Sequence, residues 1–259
     1  MKHSKRLDKS MSMNNDILTT HFVVSDIMLS IIIPVFNEES ILRGTLDRII
    51  MHMETTKHKN AYEVVIVNDG STDDTRTIMN RIRNKKVVCV HHDTNHGITS
   101  ALKTGLLFSQ GDTIATFDSD MSYPIYNIDR MLLLYGNSMA DIVIGIPRVL
   151  QTSPFRCILS KTSNFIESIL FGINLGAISS VCRIWDANAM KKVLLNTEDD
   201  GFAGLTESVI HARRMKMKVL STKVTYNNIT GRKSRMNLWK TIKAYIRMNI
   251  RLLGDEVGK

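Results

Sequence analysis

With 259 residues, 43% of them hydrophobic, the chain is long enough to bury a full core as one large domain. Its 34 Lys and Arg against 25 Asp and Glu leave a net charge of +9, which suits an anionic partner: nucleic acid, a phosphorylated substrate or an acidic lipid surface. Three cysteines, Cys89, Cys157 and Cys182, are odd in number and lack CxxC spacing, which argues against a disulfide framework and for a reducing, cytosolic setting.

Residues 1–27 are polar, Met-rich and Lys-rich and read as a poorly ordered basic tail, so the fold is expected to begin at Met28. The apolar run FVVSDIMLSIIIPVF is interrupted by Asp26 and reaches a proline, which fits neither a spanning helix of about 20 residues nor a signal peptide. Short β-rich runs then alternate with helix-like stretches: LSIIIPV (29–35), EVVIVND (63–69), KVVCVH (86–91), DTIATFD (112–118) and DIVIGI (141–146). That alternation predicts an α/β fold with a mostly parallel sheet. After residue 150 come a helix over 156–171, a Ser/Gly-containing loop, two more helical stretches and a β-like KVLSTKVTY (218–226). The final segment, RMNLWKTIKAYIRMNIRLL, sets Leu238, Trp239, Ile242, Tyr245, Ile246, Ile250 and Leu253 at helical spacing, with Lys240, Lys243, Arg247 and Arg251 on another face. Such a basic amphipathic helix either lies in a membrane interface or packs on its own domain. The expected division is a tail (1–27), one α/β domain (28–235) and a C-terminal helix (236–259).

In parallel sheets, ligands sit beyond the carboxyl ends of the strands, which here read NEE, NDGSTDD, HHDTNHG and DSD. If the strand DTIATFD continues, Asp118 and Asp120 project to the same side, and the two like charges call for a cation between them. Mg²⁺ or Mn²⁺ bound together with a diphosphate meets that need; the alternative is that the pair caps the next helix. His91, His92 and His96 invite a zinc reading, but neighbours on a strand diverge and no further Cys/His set has ligand spacing. NHGITSALKTG lacks the P-loop pattern, and its Gly97 and Gly105 are expected to allow close helix packing.

The motifs SIIIPVFNEES, VVIVNDGSTDDT, NHGITSALKTG and GDTIATFDSDMSYP, in this order, resemble the nucleotide-sugar-binding half of family 2 glycosyltransferases, from about Leu29 to Pro147. The resemblance implies a single-domain GT-A fold, a Rossmann-like sheet flanked by helices. It also implies donor contacts from Pro34, Glu38, Asp69, Asp118 and Asp120, and a metal at Asp118 and Asp120 with Ser122 in the third ligand position. Within that family the second half resembles the polyprenyl-phosphate sugar synthases, among them the dolichyl-phosphate mannose synthases. GIPRV, FRCILSK, ISSVCRIW and YNNITGRKSRMN are the matching stretches. They imply a site for the acceptor phosphate built from Arg148, Arg156, Ser160, Arg183, Arg232, Lys233 and Arg235, with Arg148 and Arg156 acting in catalysis beside Asp118 and Asp120. Val181, Cys182, Ser122 and Ile229 depart from the usual pattern.

These parallels imply inverting transfer of a hexose, mannose from GDP-mannose foremost and glucose from UDP-glucose next, to a polyprenyl or dolichyl phosphate. Nucleic acid is not expected as a partner. The acceptor would be met peripherally on the cytoplasmic face of a membrane, directly or through a small membrane-protein partner. A phosphate monoester, with a second pKa of about 6, is already anionic near neutrality and needs cations, not a base. Two rivals stay open: transfer to a saccharide hydroxyl with Glu207, Asp199 or Asp200 as base, and a non-catalytic nucleotide-sugar-binding protein. For Glu207 the ordinary reading is a helix-surface residue.

Overall fold

The computed structural model describes residues 28–148, 162, 165–173, 175, 176, 178–227 and 238–257. The first half runs β1 (Leu29–Val35), α1 (Leu42–Glu54), β2 (Tyr62–Asn68), α2 (Thr75–Asn80), β3 (Val87–His91), α3 (Ile98–Leu107), β4 (Thr113–Thr116) and α4 (Asn127–Ser138). The second half runs β5 (Ile142–Pro147), helix α5 over 165–171, β6 (Arg183–Asp186), α6 (Ala187–Leu195), α7 (Phe202–Arg214), β7 (Val219–Val224) and α8 (Leu238–Val257).

Hydrophobic patterning explains the centre of the sheet. β1 and β2 are nearly unbroken apolar runs, and every residue in them is buried, as strands covered on both faces require. Side chains alternate between two cores. Ile31, Ile33 and Val35 share one with Leu42, Ile49, Ile128 and Met131 of α1 and α4, whereas Ile32 shares the other with Ala101, Leu102, Met190 and Val209 of α3, α6 and α7. At Gly105 in α3 a Cβ would sit 2.4 Å from the Ile32 Cγ2, so the helix meets β1 this closely only because that residue is glycine.

The seven strands lie in the order β3-β2-β1-β4-β6-β5-β7. All neighbours are parallel except β6, which runs antiparallel between β4 and β5. β6 has only four residues and includes Arg183, too short a signal to read as a strand, so the sequence offered it as a loop. β1 pairs with β2 on one side and β4 on the other, which makes the β1/β4 boundary the place where strand order reverses. A crevice opens beyond the carboxyl ends at such a switch point. The chain is thus an α/β protein with a mostly parallel sheet flanked by helices.

Candidate active site

β4 stops at Thr116, two residues short of the strand expected over 112–118. The Phe117 N–H still bonds the Ile32 carbonyl at 3.2 Å, but the Thr45 hydroxyl of α1 takes the Ser119 carbonyl at 2.7 Å and Met121 turns the chain with φ at 59°. Asp118 and Asp120 are therefore gathered by a turn and not by strand alternation. Asp120 Oδ1 accepts the Ser122 N–H at 2.8 Å, and the Ser122 carbonyl accepts the Asn227 N–H at 2.8 Å. Tyr123 meets Tyr226 edge to face with centroids 5.0 Å apart, so the chain leaving β7 is bound to the aspartate turn. The capping alternative fails, because α4 opens after Tyr126 with no side-chain cap.

Among the described residues no hydrogen bond or ion pair reaches the half-buried Asp118 carboxylate. Burial first, and then the charges of Asp120 and Glu38, push its pKa up to about 8. A hard divalent cation relieves such crowding, and carboxylate oxygens are the donors that Mg²⁺ and Mn²⁺ take. No group of three His, Cys, Asp or Glu among the described residues could hold a metal by itself, so a cation at the pair would need further oxygens, as Mg²⁺ takes from phosphates. Ser122 is buried beside the pair.

The neighbouring loops are laced to one another. The Asn37 N–H bonds Ser71 Oγ at 2.8 Å, Asn37 Oδ1 accepts the Thr72 N–H at 2.7 Å, and the Glu38 N–H bonds Thr75 Oγ1 at 2.8 Å. Pro34 lies buried inside β1 opposite Val67, below these loops. Asp69 is buried at the end of β2, and its carboxylate accepts the His96 and Gly97 N–H groups at 2.9 and 2.8 Å and the Asn95 amide at 3.0 Å. The same carboxylate pairs with His92 Nδ1 at 2.8 Å, so Asp69 organises the 92–97 loop. The two adjacent histidine rings part: His91 sits between Asn68 and Asn80, and His92 between Asp69 and Thr104. At Gly97, with φ at 109°, a Cβ would lie 2.4 Å from the Asp200 carbonyl, so the glycine admits the 199–201 loop.

Two expectations from the second half are corrected. Arg183, expected beside an acceptor phosphate, is buried with its guanidinium engaged by the carbonyls of Ser180 (2.6 Å), Ile178 (2.7 Å) and Leu205 (2.7 Å) and by Ser208 Oγ (2.8 Å). It rivets the 178–183 stretch to α7. Glu207, expected on a helix surface, is fully buried. Its carboxylate accepts the Glu198 and Asp199 N–H groups at 2.9 and 3.0 Å, contacts His211 at 3.2 Å and pairs with Arg251 of α8 at 2.6 Å. Burial alone would raise its pKa, but His211, the two backbone N–H groups and Arg251 together hold it down at about 2. Arg148 is exposed at the end of β5, where its N–H bonds the Val224 carbonyl at 3.1 Å. Arg156, Ser160, Arg232, Lys233 and Arg235 lie outside the described residues, as does the 1–27 tail.

Thr45 went unread in the sequence, and Asn37 was read only as part of the NEE strand end. Thr45 left a signal: it is the polar member of the otherwise apolar face Leu42, Leu46 and Ile49 of α1, and a buried hydroxyl needs a partner.

The family model described as "Glycosyl transferase family 2" matches residues 30–194. A dolichyl-phosphate beta-glucosyltransferase of Trichomonas vaginalis is 27% identical over 250 residues, covering 90% of this chain and 74% of that protein. An undecaprenyl-phosphate 4-deoxy-4-formamido-L-arabinose transferase of Proteus mirabilis is 26% identical over 203 residues, covering 77% of this chain but 61% of that protein. Glucosyl-3-phosphoglycerate synthase from Mycobacterium tuberculosis, solved with Mn²⁺, UDP and glucosyl-3-phosphoglycerate, superposes with a TM-score of 0.63 at 16% identity, over 86% of this chain and 77% of that one. At that identity the likeness shows the shared GT-A fold. With the family match spanning most of the α/β domain, the chain belongs to glycosyltransferase family 2.

Proposed function

We propose that the chain is an inverting, metal-dependent glycosyltransferase that moves a hexose from a nucleoside diphosphate donor to a polyprenyl phosphate. The observation that carries this reading is Asp118, without a hydrogen-bond or ion-pair partner among the described residues, beside Asp120 and Glu38 at the switch point of the sheet. Asp118 and Asp120, with Ser122 next to them, would hold the cation and the donor diphosphate; Glu38, the strand end at Pro34 and the loop organised by Asp69 would frame the nucleoside. When bound, Mg²⁺ or Mn²⁺ neutralises charge on the departing diphosphate.

What the carboxylates are doing supports a phosphate acceptor. A hydroxyl acceptor needs a free base, but Glu207 is saturated, Asp199 Oδ1 accepts the Gly201 and Gly204 N–H groups, and Asp200 pairs with Lys103 at 2.8 Å. A phosphate monoester needs none. Arg148, together with Arg156, Ser160, Arg232, Lys233 and Arg235, would grip it, Arg offering two charge-assisted hydrogen bonds at once. The names of the relatives share a polyprenyl phosphate and differ in the sugar, and they favour a glucosyl donor over the mannosyl one. Among the described residues no helix is long and apolar enough to cross a membrane. We place the acceptor encounter at the cytoplasmic membrane surface.

The test is transfer of isotope label from UDP-glucose, GDP-mannose and related donors, with Mg²⁺ or Mn²⁺, to polyprenyl phosphate and to free sugars. Organic-extractable label that disappears with chelator supports the proposal. Label appearing only in water-soluble glycan points to the hydroxyl acceptor, and donor binding without transfer points to a binding protein.

A further inference from the structure

The sequence left α8 with two readings, and the structure divides them between two faces of one helix. Tyr245, Met248 and Leu252 join the core shared with α7. Polar contacts fix that face: the Tyr245 hydroxyl bonds Thr206 Oγ1 at 3.0 Å, Arg251 pairs with Glu198 and Glu207, both at 2.6 Å, and Arg214 donates to the Leu252 carbonyl at 2.7 Å. The other face is open. Trp239, Ile246 and Ile250 are 75%, 54% and 67% exposed, with half-buried Ile242 and Leu253 in the same stripe at helical spacing. Lys240, Lys243 and Arg247, all exposed, form a parallel basic stripe beside it, and residues 238–254 contain no Asp or Glu.

A second apolar patch lies on a neighbouring helix. Phe165 and Ile169 of α5 are 65% and 66% exposed. α5 and α8 meet around Arg214, whose guanidinium lies over the Phe171 ring at 5.7 Å while also bonding α8.

We propose that the open face of α8, with the exposed patch of α5 beside it, is a docking surface for an anionic lipid bilayer. An apolar stripe flanked by cations inserts its aliphatic and indole groups at the headgroup boundary while Lys and Arg reach the lipid phosphates. A second copy of this chain fits poorly, because an isologous contact would bring the basic stripes together. The surface stands on its own residues, independent of which sugar or acceptor the site uses. The inner face, tied through Arg251 and Tyr245, presents the outer one as a rigid element.

The full chain is mixed with phosphatidylcholine vesicles, with and without phosphatidylglycerol, and binding is read by co-sedimentation and by fluorescence of Trp239, the other Trp, Trp185, being buried. Binding is expected only with the anionic lipid and falls as salt rises. Lys243→Gln/Arg247→Gln lowers affinity roughly 30-fold, taking about 1 kcal/mol per cation. Ile246→Asn/Ile250→Asn lowers it at least as far, and both variants keep the wild-type melting temperature and donor binding. Equal binding to neutral vesicles, or folded variants that bind like wild type, would overturn the proposal. So would a dimer in solution that the isoleucine variants dissociate, since that assigns the face to self-association.

Discussion

Two carboxylates, half-buried Asp118 and fully buried Glu207, show opposite solutions to the problem of a charge withdrawn from water. Asp118 has no partner among the described residues and two carboxylates for neighbours, so its pKa rises to about 8. Glu207 is ringed by His211, Arg251 and two backbone N–H groups, so its pKa falls to about 2. The first is a carboxyl whose ionisation is resisted by its surroundings and which we propose a cation would relieve, and the second is a finished joint between α7, α8 and the 198–201 loop. A similar contrast separates exposed Arg148 from buried Arg183. Residue type and motif position do not distinguish these cases; the state of the partners does.

The comparison can be broken most sharply at the aspartate turn. Asp118→Ala or Asp120→Ala is expected to lower turnover on the order of 1,000-fold, while the melting temperature in chelator stays level or rises because like-charge repulsion is relieved. Glu207→Gln should do the reverse. It leaves donor binding in place but costs about 3 kcal/mol of stability in denaturant unfolding, the scale for breaking a buried ion pair. The sign of its pH dependence follows from a folded pKa held below the ordinary value. The stabilisation is complete above about pH 4.5 and is lost as pH falls toward 2, and Glu207→Gln should flatten the stability profile in that window.

Smaller effects sharpen the arginine contrast. Arg148→Ala should raise the acceptor Michaelis constant about tenfold with donor binding by calorimetry unchanged, the scale of one hydrogen bond to a charged group. Loss of donor binding instead would move Arg148 to the other substrate. The least effect is expected at Lys103→Ala, whose half-exposed pair with Asp200 should contribute less than about 1 kcal/mol to stability in denaturant titration.

The first half of the fold was legible in the sequence because β1 and β2 announce themselves as apolar runs and their ends carry Asp, Asn, Glu and Gly in a row. Asp118 and Asp120 do come together, but not by the strand alternation expected: the strand ends at Thr116, and the Thr45 hydroxyl and the left-handed Met121 make the turn. β6 was illegible because four residues carry too little periodicity. Arg183 was misplaced because a motif match reports where a residue falls in the chain and not which groups surround it, and Glu207 because a helical Glu is ordinarily exposed. Once the fold closes, Arg183 meets three carbonyls and a hydroxyl, and Glu207 meets two backbone N–H groups, His211 and the Arg251 cation.

The aspartate turn, and not any other acidic cluster, is proposed to take a divalent cation together with a nucleoside diphosphate. Mn²⁺ binding followed by electron paramagnetic resonance, with UDP and with GDP, tests it directly in the wild type, Asp118→Asn and Glu207→Gln. Mn²⁺ binding should depend on the nucleotide in the wild type and in folded Glu207→Gln, and should be absent in Asp118→Asn. Undiminished nucleotide-dependent binding in Asp118→Asn would contradict it.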